Sequence, residues 1–382
     1  MNMRKLGHSG LSVSEVGLGC EHLQGQPAEV VKAVIDAAID SGITLLDVFM
    51  SEPEVRTNIG TALVGRRDKV QLQGHIGAAW IDGQYSRTRK LDDCRFFFED
   101  FLTRLQTDYV DIGMIHFVDT EADCDGTLSS GMLEYAQELK AKGTIRAIGV
   151  SSHDPIAARR MIETGIVDVL MFSINPAYDI LPPDTVIDDL FNPESYTSQE
   201  KFTITPERLA LYQACEARGV GITVMKAFGG GALLHTESSP YGTAMSVAQC
   251  IHYALTRPAV GSVLVGCRTP EEVRQAAAYE TATKAERDYS TVLSTSPKFS
   301  MAGKCVYCNH CLPCPSHIDI AQVNKYLDLA EMAGEVPGTV RTHYAALDHA
   351  GKDCIACGQC EPRCPFDVRV IERMQRADAL LG

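Results

Sequence analysis

Eight short apolar runs punctuate the first 295 residues. They are EVGLG (15–19), ITLLDV (43–48), KVQLQGH (69–75), DIGMIH (111–116), IRAIGVSS (145–152), VDVLMFS (167–173), GITVMK (221–226) and SVLVG (262–266). Most are apolar nearly throughout, as expected of strands buried on both faces rather than half-wetted ones. Between them, stretches such as PAEVVKAVIDAAIDSG (27–42) set apolar residues at helical spacing and stop at a glycine. Eight such repeats over roughly 250 residues predict a closed parallel (β/α)8 barrel. A glycine-punctuated hairpin opens KLGHSGLSVSEVGLG ahead of the first barrel strand. The alternative is an open, doubly wound sheet. It would favour a G-x-G-x-x-G turn after the first strand, and GLGCEHLQG supplies none.

In a barrel of this kind, chemistry sits at the C-terminal ends of the strands. Those ends carry Cys20, Asp47, His75, His116, Ser151, Ser152, Asn175, Lys226, Gly266 and Arg268. One histidine there would read as a structural hydrogen bonder. Two histidines, an aspartate and a lysine on one rim can move protons and hold anions, so the rim reads as a functional pocket. Lys226 precedes three glycines whose amides suit a phosphate or carboxylate. The acidic segment 178–204 is long for a strand–helix connection and reads as a lid over the strand ends.

The C-terminal part follows a different pattern. Cys354, Cys357, Cys360 and Cys364, followed by Pro365, match the C-x2-C-x2-C-x3-C-P run that wraps a 4Fe–4S cubane. Cys305, Cys308, Cys311 and Cys314, followed by Pro315, repeat it with one residue fewer. In two-cluster proteins the fourth cysteine of each run serves the other cluster. The expected sets are therefore Cys305, Cys308, Cys311 and Cys364, and Cys354, Cys357, Cys360 and Cys314. Two structural zinc sites are the alternative, but zinc usually takes separated cysteine pairs. Between the runs, Ile320, Val323, Tyr326, Leu327 and Leu329 fall at helical spacing, which predicts a small, mainly helical ferredoxin-type domain over 296–382, after a barrel over 1–295.

Charge and composition narrow the partners. A formal charge of −14 argues against nucleic acid, which needs clustered lysine and arginine. No apolar run approaches the roughly 18 residues that span a bilayer, and the start MNMRKLGHSG lacks the apolar core of a signal peptide. A cytoplasmic protein is expected, where 14 cysteines indicate metal binding rather than disulfides.

The hairpin RKLGHSGLSVSEVGLG, the strand ITLLDV, the segment TDYVDIGMIHFVD, the strand IRAIGVSSHDP and the stretch LVGCRTPEEV together resemble the aldo-keto reductase family, and within it the subgroup with a C-terminal ferredoxin-like domain. The resemblance implies an eight-fold barrel, NADPH and carbonyl reduction. It puts the family's catalytic aspartate on Asp47 and its active-site histidine on His116. The family's tyrosine acid should follow the aspartate by about five residues, and DVFMSEPEV has no tyrosine. The family's lysine is replaced by His75, which becomes the expected replacement acid. Arg268 is the expected contact for a 2′-phosphate, while Thr269 reads equally as a phosphate contact or as the cap of a proline-started helix. Nicotinamides deliver electron pairs and cubanes single electrons, so a flavin mediator is left open, as is electron supply from the clusters alone. A metal ion on Cys20, Asp47, His75 and His116 is also left open. The expected function is an iron–sulfur oxidoreductase acting on a small carbonyl or unsaturated compound, with a ferredoxin, a flavodoxin or another redox partner. The rival reading is an electron-transfer subunit whose barrel is a silent scaffold.

Overall fold

The structure is a computed structural model that describes residues 1–181, 185, 204–295, 303–332 and 335–382. Eight parallel strands close a barrel in chain order. They are β1 (Val16–Gly19), β2 (Leu45–Val48), β3 (Gln71–Ile76), β4 (Val110–Ile115), β5 (Ile145–Ser152), β6 (Val169–Ser173), β7 (Gly221–Met225) and β8 (Val260–Gly266). All eight apolar runs became barrel strands. The helix Ala28–Asp40 shows why the repeat works: Val31, Val34, Ile35 and Ala38 make one buried face over a turn spacing of three and four.

The opening hairpin forms as expected, with Met3–Lys5 antiparallel to Ser12–Ser14. Its Leu6, Leu11 and Val13 join the barrel's interior residues Leu45, Ile112, Met114, Ala147, Val169, Met171 and Leu264 in one core cluster. His8 N donates to Gly219 O at 2.7 Å, just before β7 begins. The hairpin thus fills the N-terminal end of the barrel, and the C-terminal end is left for chemistry.

By packing, the chain divides into two compact units. One comprises residues 1–175, 214–227 and 257–283 and holds all eight barrel strands; the other comprises 176–213, 228–256 and 284–382. Bonds inside the second unit account for this partition. Asp179, fully buried, accepts from Tyr212 Oη at 2.7 Å and Tyr253 Oη at 2.8 Å and pairs with Arg208 at 3.4 Å. Gln249 Nε2 donates to Asp288 O at 2.6 Å, and Tyr289 donates to Val306 O. Segments that intervene between barrel strands are thereby tied to the cysteine-bearing region. The rest of the expected lid, 182–184 and 186–203, lies outside the described residues.

The predicted helix between the cysteine runs spans Ile320–Met332 and buries Ile320, Val323, Tyr326, Leu327 and Leu329. It packs with the helix Val370–Leu381 through Arg373, which reaches Asn324 and Asp328.

Candidate active site and cluster cavities

Strand alternation sets the site. On β3, Gln73 and His75 share one face, while Gly74 faces the helix Leu91–Arg104 so closely that a Cβ would meet the Phe101 ring at 2.6 Å. Asp47 on β2 pairs in register with Gln73. Its Oδ1 accepts from Gln73 Nε2 at 2.7 Å and lies 2.9 Å from His75 Nε2. Gln73 Oε1 in turn accepts from Thr223 Oγ1 of β7 at 3.2 Å, a polar bridge across the barrel interior.

His116 directly follows β4 and extends its pairing, N to Ile76 O at 2.9 Å. Its Nδ1 lies 2.8 Å from His75 Nδ1, and its Nε2 lies 2.6 Å from the hydroxyl of Tyr85. Phe49, from the loop after β2, stacks on His116 at 5.9 Å and 11°, and meets His75 and Tyr85 edge-on. The result is a continuous line from Asp47 through His75 and His116 to Tyr85. Exposure rises along it, from 2% at Asp47 and His75 to 5% at His116 and 42% at Tyr85, so the tyrosine is its only end open to solvent.

Burial pushes His116 well below the usual imidazole range, helped by His75, Arg89, Arg87 and His153. Burial also raises the Tyr85 phenol, against the opposing pull of Arg87 and Arg89. Cys20 is fully buried, and its thiol is pushed well up by burial first and then by Asp47 and Cys267, so it is not a thiolate nucleophile at neutral pH.

Tyr85 and Gln73 escaped the sequence reading. Tyr85 arrives on a hairpin of Ala78–Ile81 and Gln84–Arg87 inserted after β3. Its turn is Asp82–Gly83, both at positive φ (52° and 76°). An Asp-Gly pair between two extended runs is the strongest short-range hairpin signal, so the hairpin was there to be found. Gln73 was detectable as the residue two before His75 on the same strand face.

The other rim residues are engaged locally. Ser151 Oγ accepts from Phe117 N at 2.8 Å, and Ser152 Oγ donates to Asp154 O at 3.0 Å. Asn175 Nδ2 donates to Lys226 O at 2.8 Å, and Lys226 Nζ lies 3.6 Å from Glu21. Gly266 lies under the His22 ring, which a Cβ would approach to 2.6 Å. Thr269 caps the helix Pro270–Ala277: its side chain accepts from Glu272 N at 3.2 Å, while Glu272 Oε2 accepts from Arg268 N at 2.6 Å. Of its two sequence readings, the cap is the one the bonds describe.

A metal ion on Cys20, Asp47, His75 and His116 does not fit. The two Nδ1 atoms face each other and His75 Nε2 faces Asp47, so these donors point at one another rather than at a common centre. Among the described residues no group of three or more His, Cys, Asp and Glu side chains is arranged to hold a single ion.

The eight cysteines of the two runs line two separate cavities. One is lined by Cys314, Cys354, Cys357 and Cys360, the other by Cys305, Cys308, Cys311 and Cys364. The two runs also share a backbone signature. The residues before and after the second cysteine are left-handed in both: Tyr307 (59°) and Asn309 (64°) flank Cys308, and Ala356 (51°) and Gly358 (72°) flank Cys357. Three of these four are not glycine, and such strain persists where the surroundings demand a particular loop. A ring of thiols around a cavity suits a cubane, which presents its four irons at separate corners.

A model of the Aldo/keto reductase family matches residues 15–295, and a model of the 4Fe-4S dicluster domain matches 304–369. The chain is 34% identical over 178 residues to an uncharacterized oxidoreductase, YqkF, of Bacillus subtilis, covering 45% of this chain and 56% of that protein. It is 31% identical over 168 residues to the aldo-keto reductase YhdN of the same species, covering 40% and 47%. The chain thus spans about half the length of these curated relatives. Among solved structures, the holo form of aldo-keto reductase AKR11C1 from Bacillus halodurans superposes with a TM-score of 0.57 at 23% identity, covering 75% of this chain and 94% of that one. A putative aldo-keto reductase from Pseudomonas aeruginosa gives 0.55 at 21%, covering 73% and 94%. At these identities the structures speak for the fold.

Proposed function

The chain belongs to the aldo/keto reductase family and carries a 4Fe-4S dicluster domain, and from that premise we propose that it is an iron–sulfur oxidoreductase that reduces a small carbonyl compound at the mouth of the barrel. The hydrogen-bonded line of Asp47, His75 and His116 carries this reading. The line sets an aspartate and two histidines in mutual contact at the C-terminal ends of the strands, where barrel chemistry sits, which favours a reaction site over a silent scaffold.

His75 keeps the proton-handling role expected of it, in a changed form. Both of its ring nitrogens are taken, one by Asp47 and one by His116. It therefore acts on the reacting oxygen through its neighbour and not by touching it. His116 stays neutral near pH 7, which suits it to receive a proton on one nitrogen and release one from the other.

A reduced nicotinamide would supply hydride in this mouth, held by Ser151, Ser152, Asn175, Lys226 and Gly266, with the 2′-phosphate of NADPH against Arg268. The exposed Arg268 side chain fits that role, while Thr269 serves it only through the helix start it caps. Two 4Fe–4S clusters would supply or remove single electrons. Cys305, Cys308, Cys311 and Cys364 would hold one, and Cys314, Cys354, Cys357 and Cys360 the other, as the linings of the two cavities support. A ferredoxin or flavodoxin is the matching class of partner for one-electron exchange.

The test is turnover by anaerobically prepared holoprotein with small aldehydes and ketones, using reduced nicotinamide or a low-potential one-electron donor. Reduction that falls about 100-fold or more in His116→Ala is expected for a lost acid–base group. Full activity in that variant, or no turnover with either donor, overturns the reading.

A further inference from the structure

The donors and acceptors along the line from Asp47 to Tyr85 can be assigned. Gln73 donates its amide N–H to Asp47 Oδ1 because its carbonyl oxygen is occupied by the Thr223 hydroxyl. With Asp47 Oδ1 an acceptor, the 2.9 Å contact puts a proton on His75 Nε2. A neutral His75 then has a bare Nδ1, so the 2.8 Å contact between the histidines needs the proton on His116 Nδ1. That leaves His116 Nε2 bare, and the 2.6 Å contact is the Tyr85 hydroxyl donating inward.

One added proton reverses every bond beyond Asp47. His75 now carries two N–H groups and donates to His116 Nδ1. His116 carries its proton on Nε2 and donates to the Tyr85 oxygen. The Tyr85 hydroxyl proton is free to turn outward, at the one end of the line that reaches solvent.

We propose that Tyr85 is the residue that hands its proton to the reacting oxygen, and that it is refilled through His116 from a proton stored on His75 beside Asp47. This rests on the reading of the barrel mouth as the reaction site. It replaces the expectation that His75 is itself the acid. In the step, the carbonyl carbon takes hydride from a reduced nicotinamide and the carbonyl oxygen takes the Tyr85 proton. The His116 Nε2 proton moves to the Tyr85 oxygen, and the His75 Nδ1 proton moves to His116 Nδ1. Tyr85 and His116 end neutral, and the line is one proton poorer. In that poorer form it accepts a proton from an alcohol, so the same residues serve the reverse reaction.

The surroundings explain where the stored proton rests. His116 faces Arg87 and Arg89 beside the inserted hairpin, His153 after β5, and His75. Each disfavours a second proton on His116. Tyr85 faces Arg87, Arg89, Asp119 and Glu21. Near Asp47 the additional titratable groups are the buried thiols of Cys20 and, beside it, Cys267. Of the two histidines in the line, only His75 has a carboxylate in direct contact, which makes it the favoured seat of the added charge.

Two measurements on the holoprotein test this. The first is ring 15N resonances of the histidines across pH. His116 should switch its proton from Nδ1 to Nε2 as pH falls, while His75 becomes doubly protonated and His116 never does. A His116 that titrates to imidazolium, or keeps one tautomer throughout, overturns the relay whatever the substrate proves to be. The second is turnover of Tyr85→Phe, a substitution at a 42% exposed position that should leave the fold and the iron content intact. Carbonyl reduction should fall about 100-fold or more, and the multi-proton solvent isotope effect that the relay predicts for the wild type should be lost. Wild-type rates in Tyr85→Phe sink the proposal and leave the reductase reading standing. Absence of carbonyl turnover in the wild type sinks that reading, and the resonances still decide the relay.

Discussion

The barrel mouth and the cysteine-bearing unit solve the burial of reactive groups in opposite ways. In the mouth, Asp47, Gln73, His75, His116 and Tyr85 satisfy one another across four elements. In the other unit, thiols line two cavities and are pushed away from the thiolate form by burial, Cys308 to about 11 and Cys311 to about 12. Those thiols need a metal to make the thiolate worth forming. The contrast teaches that the polar groups of the mouth are paired by the fold itself, whereas the thiols of the other unit are gathered around space suited to a group the chain does not supply.

The largest effect that would break this contrast is removal of the clusters. Holoprotein should contain about eight irons per chain, and Cys364→Ser about four. Cys364→Ser and Cys308→Ser should abolish the same electron paramagnetic resonance signal, and Cys314→Ser should abolish the one lost in Cys357→Ser. Loss of the same signal in Cys364→Ser and Cys357→Ser would mean that each run serves its own cluster. Stoichiometric zinc in place of iron would remove the redox role altogether.

Next in size is the mouth itself. His75→Gln should lower turnover about 100-fold or more while leaving iron content unchanged, because it cuts the line between Asp47 and His116. Unaltered turnover would make the buried line structural and erase the difference between the two regions.

A smaller effect concerns pH. The folded-state pKa of His116 is depressed, so the unfolded chain binds this proton more readily. Its contribution to stability is present above the reference value of about 6.5 and is lost as pH falls below it. Denaturant unfolding at pH 7.5 and 5.5 should show a drop for the wild type that is reduced in His116→Gln. Equal drops in both proteins would place the acid sensitivity elsewhere.

The smallest is Thr269→Ala, which should cost about 1 kcal/mol through the lost cap. Preference for NADPH over NADH should survive it and vanish in Arg268→Ala. The reverse pattern would move the phosphate contact from the arginine to the threonine.

The sequence by itself determined the parts whose signals are local. Runs such as VDVLMFS had to be buried on both faces, and eight of them with helices between leave a closed barrel as the economical solution. Cysteines two residues apart define a loop around a metal cluster without reference to the rest of the chain, and a helix such as Ile320–Met332 announces its buried face by spacing. Strand ends also nominated Asp47, His75 and His116. What only the tertiary structure decided was how these residues use one another. Barrel closure brings β2, β3 and β4 side by side, engages both ring nitrogens of His75 with Asp47 and His116, and sets a tyrosine from an inserted hairpin against His116. It also decided the packing partition, through Asp179 and Tyr289, whose partners Tyr253 and Val306 lie 74 and 17 residues away. The physical reason is common to both: hydrogen bonds between side chains depend on distances of a few tenths of an ångström, which periodicity and spacing along one chain do not encode.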